Sequence, residues 1–104
     1  MCGLAGIISL GSRLGEEDVC TGRRMTGLLD HRGPDSTAEL HDGLCYLGNT
    51  RLSIIDLSEN ASLPMSNDDG SVWLCYNGEV TNFRELEKRF SLRDKFRFRS
   101  SSDT

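Results

Sequence analysis

The sequence predicts an α+β fold, and three observations carry the prediction. Short apolar runs suited to strands occur at residues 2–10, 44–56 and 71–77. Two stretches with helical spacing separate them, at 15–30 and from Asn82 to Phe90. Strands and helices mix without a regular βαβ rhythm.

In chain order, CGLAGIISL at 2–10 is apolar, with β-branched residues in its middle, and reads as a buried strand starting at the terminus. Residues 15–30 read as a helix. Glu16, Glu17 and Asp18 suit its positive N-terminal end, and Val19, Met25, Leu28 and Leu29 fall loosely on one face. Gly22 and Gly27 oppose that helix by about 1 kcal/mol each. HRGPDS at 31–36 is a turn, because Pro34 sets its backbone angle and Gly33 loosens it.

LCYLGN and RLSIID, at 44–49 and 51–56, are expected to be two short strands. The stretch 57–70 reads as a polar surface loop closing on the turn-forming pair Asp69-Gly70. SVWLCYN at 71–77 is expected to be a strand, with Trp73 and Cys75 on one face and Val72, Leu74 and Tyr76 on the other. A helix follows. Asn82 is its expected cap, Glu85 completes a capping-box pattern, and Phe83, Leu86 and Phe90 form the apolar stripe. Lys88 and Arg89 suit its negative end. KFRFR at 95–99 alternates like one more strand, and the chain ends at RSSSDT without a closing element.

The 104 residues, 37% hydrophobic and 27% charged, match one soluble domain or part of one. A net charge of −4 with dispersed arginines gives no footprint for nucleic acid. No apolar stretch is long enough for a membrane span, and no signal peptide is present, so a cytoplasmic protein is expected. The four cysteines, Cys2, Cys20, Cys45 and Cys75, form no CxxC pair, and with His31 and His41 they make no zinc spacing. Free thiols in a reducing compartment are expected, and the last three read as small packing residues.

Cys2 raises a chemical question. A thiol attacks as its thiolate and needs a base nearby. At a true N-terminus the base is the residue's own α-amino group, whose ordinary pKa of about 7.7–8.0 leaves part of it neutral near pH 7. Two bonds hold amine and thiol together, so little entropy is lost in aligning them. The scheme requires removal of Met1, since the nitrogen of Cys2 is otherwise an amide. Gly3 would let the backbone approach a substrate closely. The bland alternative is a chance cysteine in second position.

Three further stretches carry paired readings. Asn77-Gly78 in YNGE is a strong hairpin signal. It can also supply a side-chain amide and a backbone N–H to the oxygen of a tetrahedral intermediate. Arg51, entering an apolar run, either snorkels to solvent or grips a carboxylate with its planar fork. HRGPD is a surface turn or a loop facing a ligand.

Six motifs occur in order: MCGLAGI at the start, HRGPD at 31–35, RLSIIDLS at 51–58, PMSNDDG at 64–70, YNGEVTNFRELE at 76–87 and SDT at 102–104. Together they resemble the N-terminal glutaminase domain of glutamine-hydrolysing asparagine synthetases, a class II glutamine amidotransferase of the N-terminal-nucleophile type. The resemblance covers nearly the whole chain. It implies a four-layer α/β/β/α sandwich, of which residues 1–104 would be a truncated part, with the synthetase domain absent. It implies that Cys2 attacks the side-chain amide of glutamine, forms a γ-glutamyl thioester and releases ammonia. Asn77 and Gly78 match the oxyanion hole, Arg51 the group that binds the glutamine α-carboxylate, and Asp103 and Glu79 the contacts to its α-amino group. One cation and two carboxylates set apart suit a zwitterionic amino acid.

The resemblance further implies glutamine as substrate, a C-terminal synthetase domain as partner and a possible homodimer, with neither nucleic acid nor membrane involved. No cofactor or metal is expected in this segment, because ATP and magnesium would serve the synthetase domain, which activates aspartate. The sequence departs from the family pattern at Asn49 and Thr50, where histidine and arginine are frequent, at Leu63 for glutamine, and at Thr81 for tyrosine. No departure strikes a matched catalytic position. Two other functions fit the same motifs: a non-catalytic glutaminase-like domain, and an amidotransferase with a different acceptor. Relatives that have lost glutamine use, such as β-lactam-forming synthetases, lack the terminal nucleophile that Cys2 supplies here. A truncated chain that never folds stably is the remaining alternative.

Overall fold

The computed structural model describes residues 2–52 and 62–104. The terminal apolar run forms β1, Gly3–Ile8. It is covered on one face only: Ala5 is buried, whereas Leu4 and Ile8 are exposed. Strand alternation explains this, since successive side chains point to opposite faces and a single helix covers one of them. That helix is α1, Glu16–Gly27, shorter at both ends than expected. Asp18 Oδ2 accepts the Gly15 backbone N–H at 2.8 Å, so the acidic first turn also ties down the entry to the helix.

The buried face of α1 is not the expected stripe. Gly22 and Thr26 are its buried residues, while Met25 and Leu28 are exposed. Gly22 lets the fully buried ring of Tyr46 lie against the helix backbone, which a Leu-based face would prevent. The Thr26 hydroxyl donates to Gly22 O at 2.9 Å and lies 3.0 Å from the Tyr46 hydroxyl. This small polar seam is the core between helix and sheet.

The strand expected at 44–49 forms, with slightly different bounds. It is β3 (Cys45–Arg51), which also takes in Arg51. Residues 53–56, from the strand expected at 51–56, lie outside the described residues. A strand the sequence did not announce, β2 (Ser36–His41), pairs antiparallel with β3. Its side chains are too polar to form an apolar run, and the hairpin turn holds it instead. Asp42 Oδ1 accepts the N–H groups of Leu44 and Cys45 at 2.8 and 2.9 Å, and Gly43 takes the left-handed conformation, φ 86°. Those two donors hold the Asp42 carboxyl below its ordinary pKa. The sheet order is β1-β3-β2, all antiparallel, with Gly3 opposite Thr50 and Ile8 opposite Cys45.

A second, two-stranded sheet joins β4 (Met65–Ser66) to β5 (Trp73–Leu74). The expected loop at 57–70 therefore contains a strand, and the expected strand at 71–77 shrinks to two residues. The turn between them is the Asp69-Gly70 turn the sequence signals, with Gly70 at φ 72°. The hairpin expected at Asn77-Gly78 does not form. Among the described residues only Ser91, Gly43 and Gly70 have positive φ, whereas the two-residue hairpin turns need it at Asn77 or Gly78. The chain turns instead into α2, Phe83–Arg89.

Asn82 sits at the N-cap of α2 without a side-chain hydrogen bond. The carbonyl of Asn82 accepts from Glu85 and Leu86, and the expected capping box is not made. Phe90 is exposed, so the apolar stripe is narrower than expected. A short helix, α3 (Leu92–Lys95), follows in place of the start of the expected last strand. Residues 96–99 belong to no sheet. The Arg93 guanidinium lies 4.5 Å from the Phe98 ring centroid, and Arg99 pairs with Asp68 at 3.5 Å. No helix among the described residues is long and apolar enough to cross a membrane.

Candidate functional site

The start of β1 and the end of β3 are neighbours because the two strands are antiparallel. The register that pairs Gly3 with Thr50 puts Cys2 level with Arg51. Cys2 is half-buried, and its thiol donates to the carbonyl of Leu52 at 3.8 Å, a long contact of the kind sulfur makes. Met1, whose removal the chemistry requires, lies outside the described residues. Gly3 serves packing: a Cβ there would stand 2.7 Å from both Leu29 Cβ and Thr50 Oγ1. The close approach it permits is that of the turn after α1.

That turn continues into HRGPD, which brackets Arg51. Gly33 is buried, and a Cβ on it would lie 2.5 Å from the Arg51 nitrogen. Pro34 bridges to Arg51, and the Asp35 N–H donates to Arg51 O at 3.0 Å. The Thr50 hydroxyl donates to Leu29 O at 3.0 Å, and His31 Nδ1 donates to Leu28 O at 3.0 Å. Of the two readings of HRGPD, the surface turn forms, with His31, Pro34 and Asp35 exposed, and it also contacts the end of β3. The segment is a brace that holds the backbone of Arg51. Tyr46, Gly48 and Thr50 face α1, so alternation puts Asn49 and Arg51 on the opposite face of the sheet.

The other expected site residues form a second group. Asn77, Gly78 and Glu79 are exposed, on a segment with no regular secondary structure. The Tyr76 ring packs 2.8 Å from where a Cβ on Gly78 would sit. Asp103 Oδ2 accepts the Val80 N–H at 2.7 Å, tying SDT to the residue after Glu79. The structure thus brings Cys2 to Arg51, and Asp103 to the Asn77–Glu79 segment. Among the described residues no hydrogen bond joins Cys2 to Asn77 or Gly78. A cavity of about 560 Å³ lies beside Thr104, lined by Pro64, Met65, Trp73, Phe96 and Phe98 among others, and by none of the six expected site residues. The cavity also carries the charged side chains of Asp68, Arg97 and Arg99, but Cys2 and Arg51 lie outside it.

Sequence reasoning missed one residue here. Asn49 is 1% exposed, and its side-chain Nδ2 donates to the carbonyl of Gly3 at 3.0 Å. The sequence marked Asn49 only as a departure from the family pattern, where histidine is frequent, and gave it no role. Of the three thiols expected to pack, Cys45 and Cys75 are half-buried and burial pushes both above the ordinary thiol pKa, whereas Cys20 is exposed on α1 and does not serve as a packing residue.

The structure thus sets a cysteine level with an arginine on the neighbouring strand, and separately ties an Asn-Gly segment to a late aspartate. The chain belongs to the glutamine amidotransferase domain family, whose model matches residues 1–104. It is similar to asparagine synthetase [glutamine-hydrolyzing] 1 of Bacillus subtilis, 36% identical over 107 residues, which is 100% of this chain and 16% of the relative. It is also similar to asparagine synthetase [glutamine-hydrolyzing] 2 of the same organism, 41% identical over 90 residues, covering 84% of this chain and 12% of the relative. A putative asparagine synthetase of Methanocaldococcus jannaschii is 32% identical over 110 residues, 88% of this chain and 21% of the relative. The chain therefore spans between 12% and 21% of the length of these curated relatives.

Proposed function

We propose that residues 1–104 are part of the glutaminase half of a glutamine-hydrolysing asparagine synthetase. The observation that carries this reading is the register of β1 on β3, which sets Cys2 level with Arg51. In this reading Arg51 binds the α-carboxylate of glutamine with its planar fork. Asp103 and Glu79 face the α-ammonium. With Met1 removed, the Cys2 amine takes the thiol proton and the sulfur attacks the side-chain carbonyl carbon. The Asn77 amide and the Gly78 N–H stabilise the oxyanion, each donor contributing about 2.7–4 kcal/mol to lowering the barrier. The Cys2 ammonium returns its proton to the leaving nitrogen, the C–N bond breaks, and ammonia departs. Water then cleaves the γ-glutamyl thioester to glutamate and the free thiol.

The ammonia acceptor in this reading is aspartate, activated with ATP and magnesium by a synthetase domain outside these residues. Among the described residues no cluster of three or more His, Cys, Asp and Glu side chains is placed to hold a metal ion, and no step here is assigned to one. The reading includes a cytoplasmic location and a homodimer. It also includes the four-layer sandwich. Leu4 and Ile8, exposed on the face of β1 away from α1, are the surface a second sheet layer would cover.

The test is glutamine hydrolysis by the full-length protein and its Cys2→Ala variant. Hydrolysis is expected to stop while ammonia-dependent asparagine formation continues. A Cys2→Ala protein that still hydrolyses glutamine overturns the reading. So does an active protein whose intact mass shows Met1 retained.

A further inference from the structure

We infer that Asn49 is a positioning residue for the Cys2 nucleophile. The inference rests on the glutaminase reading above. A residue at the free end of a chain has no preceding peptide to hold it, so its orientation depends on the peptide that follows. Here that peptide leads into Gly3, the residue with the widest backbone freedom. Asn49 Nδ2 donates to the Gly3 carbonyl at 3.0 Å, from a side chain only 1% exposed. The bond fixes the peptide plane one residue beyond the nucleophile.

The same stretch of chain also touches Cys2, because the carbonyl of Leu52 accepts from the thiol. Asn49 and Leu52, three residues apart at the exit of β3, thus each make one contact to the first two residues of the active terminus, Asn49 to Gly3 and Leu52 to Cys2. The neighbouring hydroxyl of Thr50 does something different: it donates to Leu29 O and secures the turn after α1. An apolar residue of the same volume would fill the space of Asn49 equally well. The amide adds only direction, and direction matters where a sulfur must meet a carbonyl carbon at bonding distance.

The experiment uses the full-length protein with Asn49→Leu, which keeps the branched shape and removes the donor, and Asn49→Ser, whose hydroxyl falls short of the Gly3 oxygen. Both are expected to lower kcat for glutamine hydrolysis by about 10- to 100-fold, with KM for glutamine changed by about two-fold or less. The pH profile of Cys2 alkylation by iodoacetamide should shift in both. Thr26→Val is the control: it breaks the buried polar contact between α1 and Tyr46, which touches neither Cys2 nor Gly3, lowers Tm, and leaves kcat and the alkylation profile unchanged. A folded Asn49 variant with wild-type kcat overturns the inference, as does a rise in KM at constant kcat. If Asn49→Leu does not fold, Asn49→Ser decides. Cys2→Ala runs alongside: its retained activity would defeat the glutaminase reading itself, whereas its inactivity beside an unaffected Asn49→Ser defeats only the role of Asn49.

Discussion

The Asp103 carboxylate accepts the Val80 backbone N–H at 2.7 Å, across 23 residues of sequence. This bond gives Asp103 a structural task beside the one proposed toward the glutamine amine. Two substitutions separate them. Asp103→Asn keeps an acceptor for Val80 and loses the charge, whereas Asp103→Ala loses both. A lost bond to a charged group costs about 1.5–3 kcal/mol, so KM for glutamine should rise about 10-fold or more in both variants. Amide exchange at Val80 should accelerate only in Asp103→Ala. An unchanged KM in Asp103→Asn would make the aspartate purely structural.

Gly22 and Gly27 oppose helix formation equally by propensity, yet the structure gives them opposite roles. A Cβ on Gly22 would lie 2.5 Å from the Tyr46 ring, whereas one on Gly27 meets nothing within 4 Å. Gly27→Ala should stabilise the protein by about 0.4–1 kcal/mol. Gly22→Ala should destabilise it by about 1–3 kcal/mol of overpacking, less the helix-propensity gain. Denaturant melts of the two variants should move in opposite directions, and a stabilising Gly22→Ala would contradict the packing of α1 on β3.

Arg23 grips Glu39 through both Nε and Nη2, at 2.6 to 3.1 Å. That hydrogen bonding, with a smaller contribution from the Tyr46 hydroxyl, holds the Glu39 carboxyl below its ordinary value of 4.5. A depressed folded-state pKa means the stabilisation is complete above the unfolded value and disappears as pH falls through the folded one. Glu39→Gln should therefore flatten the acid limb of stability below about pH 4.5 and leave the neutral region with only a small loss. The effect is modest, because the Arg23 side chain is 58% exposed. Tm measured from pH 7 to pH 3 checks it, and an unaltered acid limb in Glu39→Gln would contradict the pairing.

Gly33 and Arg51 are in direct backbone contact, so a side chain at position 33 must displace the strand end that carries the guanidinium. Gly33→Ala should lower stability by about 1–3 kcal/mol and raise KM for glutamine in the folded fraction. Arg51→Ala should raise KM chiefly, by removing binding shared between ground and transition states. Parallel steady-state kinetics test both. An Arg51→Ala enzyme with the original KM would leave Arg51 as a brace for HRGPD alone.

Some of this was readable along the chain. Residues 2–10 announce a strand by continuous apolarity, 15–30 a helix by spacing and charge, and Asp69-Gly70 a turn by backbone chemistry. The six ordered motifs mark the amidotransferase family without any coordinates. Other features were not local. β2 has no apolar run and exists because the Asp42-Gly43 turn folds it onto β3, where pairing, and not its own side chains, supplies the stabilisation. Asn77-Gly78 carries the hairpin signal, but no strand pairs beyond it, and its backbone never enters the positive-φ region that signal requires.

Order, spacing and residue type by themselves settled the family, the α+β class and the chemical identity of Cys2 and Arg51, because those are properties of side chains and short windows. Tertiary structure alone decided that Cys2 lies level with Arg51, that Gly22 is there for the Tyr46 ring, and that the amide of Asn49 reaches Gly3. Each of those depends on antiparallel register and on the distance between two backbones. Those quantities arise only when residues far apart in the chain are packed together.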